Sequence, residues 1–241
     1  MSNIMKKALA KLLDGLFPPR CACCGALLSS SVSAFCPDCY REFVAARLLP
    51  CRHCGKEMMH CTCCNDTLVA SGIYRVAKVC PYYPEREGSP ELGLIFAMKR
   101  RNVKAYFRFA AREMAASAKR VGDISGFTVT YVPRRPESVS RYGFDHARIL
   151  ARMIAEELGL PFEETFYRSR NAKEQKGLTR KERRKNASST ILPVNGLTAT
   201  GKRYLICDDI LTTGSSLSSC ASILTALGTT ELRAVVFAAR G

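Results

Sequence analysis

The sequence predicts an α/β protein built on a mainly parallel sheet, preceded by a small cysteine-rich module. Three observations carry this expectation. Beyond residue 90, strand-like apolar runs alternate with helical stretches of roughly 12 to 15 residues. Cysteines crowd in pairs between Cys21 and Cys64. Late in the chain, an apolar run ends in two carboxylates and a turn rich in Ser, Thr and Gly that opens a helix.

Taken in order, residues 1–19 read as an amphipathic N-terminal helix. Ile4, Ala8, Leu12, Leu13 and Leu16 recur at helical spacing between lysines, and Pro18-Pro19 stops the run. The cysteine-rich module occupies 20–65. The stretch 66–90, with Pro81, Pro84, Gly88 and Pro90, reads as a linker. An α/β domain follows over 91–241. Ser89-Pro90-Glu91 is a helix start, and 92–121 reads as one or two helices. Next come a strand at 128–132, a helix at 145–158 closed by Gly159, and strands at 189–193 and 203–207. A helix at 216–227 closed by Gly228 and a strand at 232–238 complete the pattern. Strands separated by helices imply right-handed crossovers.

Composition narrows the function classes. At 47% hydrophobic and 24% charged, the 241-residue chain can bury a core rather than stay disordered. Its formal net charge of +16 attracts polyanions: nucleotides, pyrophosphate, nucleic acid or an acidic membrane surface. No apolar run reaches the roughly 18 residues of a spanning helix, so no transmembrane segment is expected. Lys11 and Asp14 interrupt the apolar stretch after the basic start, which argues against a secretory signal.

Ten of the thirteen cysteines lie between Cys21 and Cys64. The pairs are Cys21 and Cys24, Cys36 and Cys39, Cys51 and Cys54, and Cys61 and Cys64. A C-x-x-C turn lets two sulfurs converge on one ion, and Gly25 and Gly55 permit the tight knuckle. These spacings suit metal in a reducing cytoplasm rather than the disulfides of a secreted chain. Eight soft thiolates would hold one or two structural Zn2+ ions, with an iron–sulfur cluster or thiol redox chemistry as the alternatives. Cys23, Cys63, His53 and His60 stand by as further ligands, and the pairing between C-x-x-C units stays open. So few apolar residues need the ion to fold.

The sharpest chemistry is in Asp208, Asp209, Ile210, Leu211, Thr212, Thr213, Gly214, Ser215 and Ser216. Backbone N–H groups of such a turn, with the helix N-terminus, cradle a phosphate, and the hydroxyls add donors. Gly214 lets the backbone come close. Asp208 and Asp209 would repel the phosphate, so they should face a sugar's hydroxyls or order Mg2+. Arg134 and Arg135 follow strand 128–132 at the same sheet edge, where guanidinium groups could clamp a pyrophosphate. The segment 196–203 nearly spells a P-loop, but Arg203 replaces the magnesium-binding Ser or Thr and the segment leads into a strand. The basic stretch 173–186 could close over a site as a flexible loop or meet the phosphates of single-stranded DNA.

The 208–216 loop resembles the 5-phosphoribosyl-1-pyrophosphate (PRPP) motif of type I phosphoribosyltransferases, and the whole chain resembles the ComF family of competence proteins. The match includes the cysteine pairs, Val132-Pro133-Arg134-Arg135, Arg141-Tyr142-Gly143-Phe144, Gln175 to Leu178 and Arg183 to Asn186. Asp145-His146 departs from the Asn-Gln pair frequent in that family, although Asp145 suits a helix N-cap. The resemblance implies a Rossmann-like type I phosphoribosyltransferase domain that binds PRPP, or another ribose 5-phosphate ligand, with Mg2+. It also implies a cytoplasmic protein, at the inner face of the membrane, that works with the uptake machinery for transforming single-stranded DNA. The alternative is an active enzyme transferring phosphoribosyl to a base or amine, with Asp208, Asp209, Arg134 and Arg135 as its catalytic set.

Overall fold

A computed structural model describes residues 18–30, 32–169 and 191–240. The expected N-terminal helix and the basic stretch 173–186 lie outside the described residues. Along the chain run α1 (Pro37–Arg47), α2 (Asp66–Val69), β1 (Ile73–Pro81), α3 (Pro90–Arg100), α4 (Lys104–Ala118) and β2 (Phe127–Tyr131). Then come α5 (Pro136–Tyr142), α6 (His146–Leu158), β3 (Phe166–Arg168), β4 (Ile191–Pro193), β5 (Arg203–Leu211), α7 (Ser215–Ala226) and β6 (Glu231–Ala239).

Local chemistry accounts for many of these boundaries. Pro37, Pro90 and Pro136 open their helices at positions where a missing N–H costs nothing. The Asp145 carboxylate caps α6 by accepting from the N–H groups of Ala147 and Arg148, and Gly159 ends that helix in the left-handed conformation. The segment 92–121 resolves into two helices, α3 and α4.

Strands β1, β6, β5 and β2 pair in that order, all parallel. The range read as a linker therefore contains an edge strand of the main sheet. Arg75 and Lys78 break its apolar run, which hid it; Lys78 is nevertheless 4% exposed. Strand β4 pairs antiparallel with β3 in a separate two-stranded ribbon, outside the main sheet.

Helices cover both faces, and side chains of each strand alternate between two cores. Leu205, Cys207, Val235 and Phe237 face α1, α3, α4 and α6. Tyr204, Ile206, Ala234 and Val236 face α7 and α2. The cysteine-rich segment shares the first core. Phe43 of α1 stacks on Phe237 of β6 at 6.0 Å, and Phe35 meets Phe109 of α4 edge-on at 5.1 Å. Helix α3 reaches the first cysteine knuckle through Gly93, where a Cβ would lie 2.7 Å from Cys23 Cα.

Candidate functional site

Two sets of four sulfurs converge. In each set, Cys21, Cys24, Cys36 and Cys39, or Cys51, Cys54, Cys61 and Cys63, the ligand atoms lie within 4.8 Å of one another. A tetrahedral zinc with sulfurs at about 2.3 Å has edges near 3.8 Å, so both sets fit the ion. They lie too close for thiolates spread over the separate irons of a cluster. In the second set the fourth converging sulfur is that of Cys63, not the expected Cys64. Cys61 and Cys63, two apart on extended chain, bring their sulfurs to one side at 3.2 Å, while Cys64 packs against the second core.

Electrostatics divide the thiols: burial raises Cys39, Cys61 and Cys63, whereas Cys21 and Cys51 are lowered. Burial opposes ionisation of Cys21, but backbone N–H donors of Cys36, Cys24 and Cys23 outweigh it and bring the thiol down to about 7. Cys51 falls to about 7 likewise: burial opposes, while N–H groups of His53 and Cys54 and the charge of Lys78 prevail. Lys78 Nζ donates to Cys61 Sγ at 3.1 Å, Cys63 Sγ at 3.2 Å and the Cys63 carbonyl at 2.9 Å. Burial works against its charge, and the sulfur contacts hold its pKa up.

The acids sit where β5 outruns its neighbour. Strand β2 ends with Tyr131 opposite Cys207, so Asp208 onward borders an open crevice at the carboxyl end of the sheet. Asp208, Asp209, Ile210, Thr212 and Ser216 line a cleft of about 390 Å³ with Arg134, Arg135, Lys99, His146 and Arg168. A cavity of about 40 Å³ opens beside it within the turn, walled by Asp208, Leu211, Thr213, Gly214, Ser215 and their neighbours. The Leu211 side chain is buried in the core, so its part in that wall is structural. A larger cleft, about 470 Å³, lies at the amino ends of β1 and β6. Its Arg75 and Arg233 already bond Val121, Asp123 and Glu231, and it holds no part of the acid turn.

Three side chains that sequence reasoning missed complete the acid cleft. Asp209 Oδ2 accepts from Lys99 Nζ at 2.9 Å and meets His146 Nε2 at 2.7 Å. Burial pushes the Asp209 pKa up, yet Lys99 and His146 outweigh that and hold it well below the usual carboxylate range. Asp208, half-buried, is pushed up to about 8 by desolvation and by the charge of Asp209 beside it. Arg168 donates to the Pro133 carbonyl at 2.7 Å and to Ser216 Oγ at 3.1 Å. The departure at His146 was the one sequence signal for this arrangement.

Arg134 has a different task from the expected clamp. Its guanidinium donates to the carbonyls of Phe144 and Lys99 at 3.2 and 2.8 Å and stacks over Tyr142, tying loop 132–135 to α3. Asp209 is likewise engaged by two basic side chains, and Asp208 Oδ1 accepts from the Asp209 N–H at 2.8 Å. The pair does not form a carboxylate cage for magnesium.

A parallel sheet with this loop at its carboxyl end is the type I phosphoribosyltransferase fold, and residues 139–241 match the phosphoribosyl transferase domain. The full chain has named relatives. It is 25% identical over 221 residues to competence protein F of Haemophilus influenzae, covering 89% of this chain and 94% of that protein. It is 28% identical over 218 residues to DNA utilization protein YhgH of Salmonella typhimurium, covering 86% and 91%. Among solved structures it is similar to glutamine phosphoribosylpyrophosphate amidotransferase from B. subtilis, at 20% identity and a TM-score of 0.41. That similarity covers 58% of this chain and 30% of the amidotransferase, under a third of its length. The chain is thus a homologue of competence protein F carrying a phosphoribosyltransferase domain behind two four-cysteine centres. Among the described residues no helix is long and apolar enough to cross a membrane.

Proposed function

We propose that the chain binds PRPP, or another ribose 5-phosphate ligand, and serves the handling of transforming single-stranded DNA in the cytoplasm, at the inner face of the membrane. The 5-phosphate enters the 212–216 turn, where backbone N–H groups at the start of α7 and the hydroxyls of Thr212, Thr213, Ser215 and Ser216 meet it. Asp208 and Asp209 accept hydrogen bonds from the ribose hydroxyls, and Arg135 and Arg168 meet the pyrophosphate in the larger cleft. Lys99 offsets the charge of Asp209, and His146 meets the same oxygen, so an anionic ligand approaches without strong repulsion. One observation carries this reading: two strand-end carboxylates border a hydroxyl-lined turn at a helix N-terminus, with basic side chains across the cleft. The names of the two relatives support the DNA side of the proposal.

Titrating PRPP into zinc-loaded protein by calorimetry tests it, with the D208N/D209N variant as control. Binding by the wild type and loss in the variant are expected. A wild type that binds neither PRPP nor ribose 5-phosphate would overturn the proposal.

A further inference from the structure

The second cysteine centre ends against the back of the phosphate turn. Its ligand segment is lashed to β1: Val76 N donates to the Thr62 carbonyl at 3.2 Å, and Lys78 grips the Cys63 carbonyl. Two residues past the ligand Cys63, Asn65 divides its amide between two tasks. Its Oδ1 caps α2 by accepting from Leu68 N at 3.1 Å, and its Nδ2 donates to the Thr213 carbonyl at 3.2 Å. Leu68, fully buried, lies under Gly214, where a Cβ would come within 3.0 Å of Leu68 Cγ. Gly214 itself has φ +79°, so only glycine suits both the conformation and the contact.

This contact fixes a peptide that matters to the ligand. In a trans peptide the carbonyl and the following N–H point in opposite directions. Asn65, holding the Thr213 carbonyl, turns the Gly214 N–H to the far side of the loop. Thr213 and Gly214 line the small cavity and neither Asn65 nor Leu68 does, which sets the cavity apart from the brace.

We infer that Asn65 is a positioning residue for the phosphate turn, and that through it metal loading of the Cys51, Cys54, Cys61 and Cys63 centre sets affinity for the ribose phosphate. The inference rests on the ligand reading above and adds a regulator to the same site. Emptying the centre releases the segment that carries Asn65, because the crosslink an ion makes among the four converging sulfurs is lost. The turn then loses its hold on the Thr213 carbonyl and its packing on Leu68.

The substitution N65D isolates the brace: an aspartate still caps α2 but cannot donate to Thr213. The expected N65D protein keeps its zinc content and its Tm to within a few degrees, and binds PRPP about tenfold more weakly. A merely structural Asn65 would lower Tm without changing the affinity of folded protein. The variant C63S, or wild type with the second centre emptied by limited chelation, should weaken binding to a similar extent, and adding N65D to C63S should weaken it little further. Wild-type affinity in N65D, or losses that multiply in the double variant, would overturn the inference. Hydrogen exchange of the 211–217 amides, read without ligand, should quicken in both cases; unchanged rates would equally sink it. If the wild type binds no PRPP, the ligand reading fails, and the exchange result alone still decides the brace.

Discussion

His146 and Asp209, 63 positions apart, meet at 2.7 Å through Nε2 and Oδ2, on the same carboxylate oxygen that Lys99 holds from the end of α3. The carboxylate that the sequence offers to magnesium is thus satisfied from within the chain.

Ligand binding should therefore depend little on magnesium. PRPP affinity of the zinc-loaded wild type is expected to change less than threefold when magnesium is left out of the buffer. Replacing Lys99 with Met removes one of the two partners and exposes the ligand to Asp209. The K99M protein should bind PRPP at least tenfold more weakly, with magnesium restoring part of the loss, and be destabilised by about 1–2 kcal/mol, since His146 remains as a partner. Calorimetry with and without magnesium checks this, and abolished wild-type binding in its absence would contradict it.

The two acids predict opposite pH trends in stability. Asp208, raised to about 8 against an unfolded value near 3.9, binds its proton more tightly when folded. It destabilises the fold increasingly as pH rises from about 4 to 8, and fully above that. Asp209 is lowered, so its stabilisation is complete above about 4 and is lost as pH falls toward its folded value. The D208N variant should melt higher than wild type at pH 9, by on the order of 2 kcal/mol, with the gain vanishing near pH 4. Thermal melts across that range are decisive: an equal gain at both ends would show that Asp208 is not titrating between them.

Zinc stoichiometry distinguishes Cys63 from Cys64 as the ligand. Wild type should hold two ions per chain, C64S two, and C63S one. Replacing Lys78 with Met removes the hydrogen bonds to Cys61 and Cys63, and should weaken zinc at that centre by roughly 10- to 100-fold. A colorimetric chelator competition measures both; a C64S protein with one ion would reverse the assignment.

Gly93 permits the contact between α3 and the first knuckle. A methyl at this position meets the Cys23 backbone at 2.7 Å, which cannot swing away as a side-chain end could. The G93A substitution should cost about 1–3 kcal/mol despite alanine's better helix propensity. Denaturant unfolding tests this, and a stabilised variant would show that the helix shifts freely.

Much of the fold was legible because the signals were local. Asp145 and Gly159 bracket α6 as their chemistry requires, and the hydroxyl-rich turn follows β5 as expected, although the strand expected over 203–207 runs on through both acids to Leu211. The edge strand β1 was hidden because Lys78 made it look polar, and the partners that bury this lysine, Cys61 and Cys63, lie 15 to 17 residues away. The near P-loop proved an ordinary approach to β5, its Lys202 paired with Glu163 at 3.0 Å.

By itself the sequence determined which residue types were available: eight paired thiols, two acids, a hydroxyl-rich turn and the glycine within it. Those properties follow from covalent spacing, over which neighbouring residues act on one another directly. Only the tertiary structure decided the partners. It put Cys63 in place of Cys64, because alternate residues of an extended chain share a side. It turned Arg134 onto backbone carbonyls, brought Lys99 and His146 to Asp209, and set Asn65 behind Thr213, 148 residues away in the chain. Such pairings depend on how the helices cross the sheet, and that geometry is settled by core packing rather than by any local pattern.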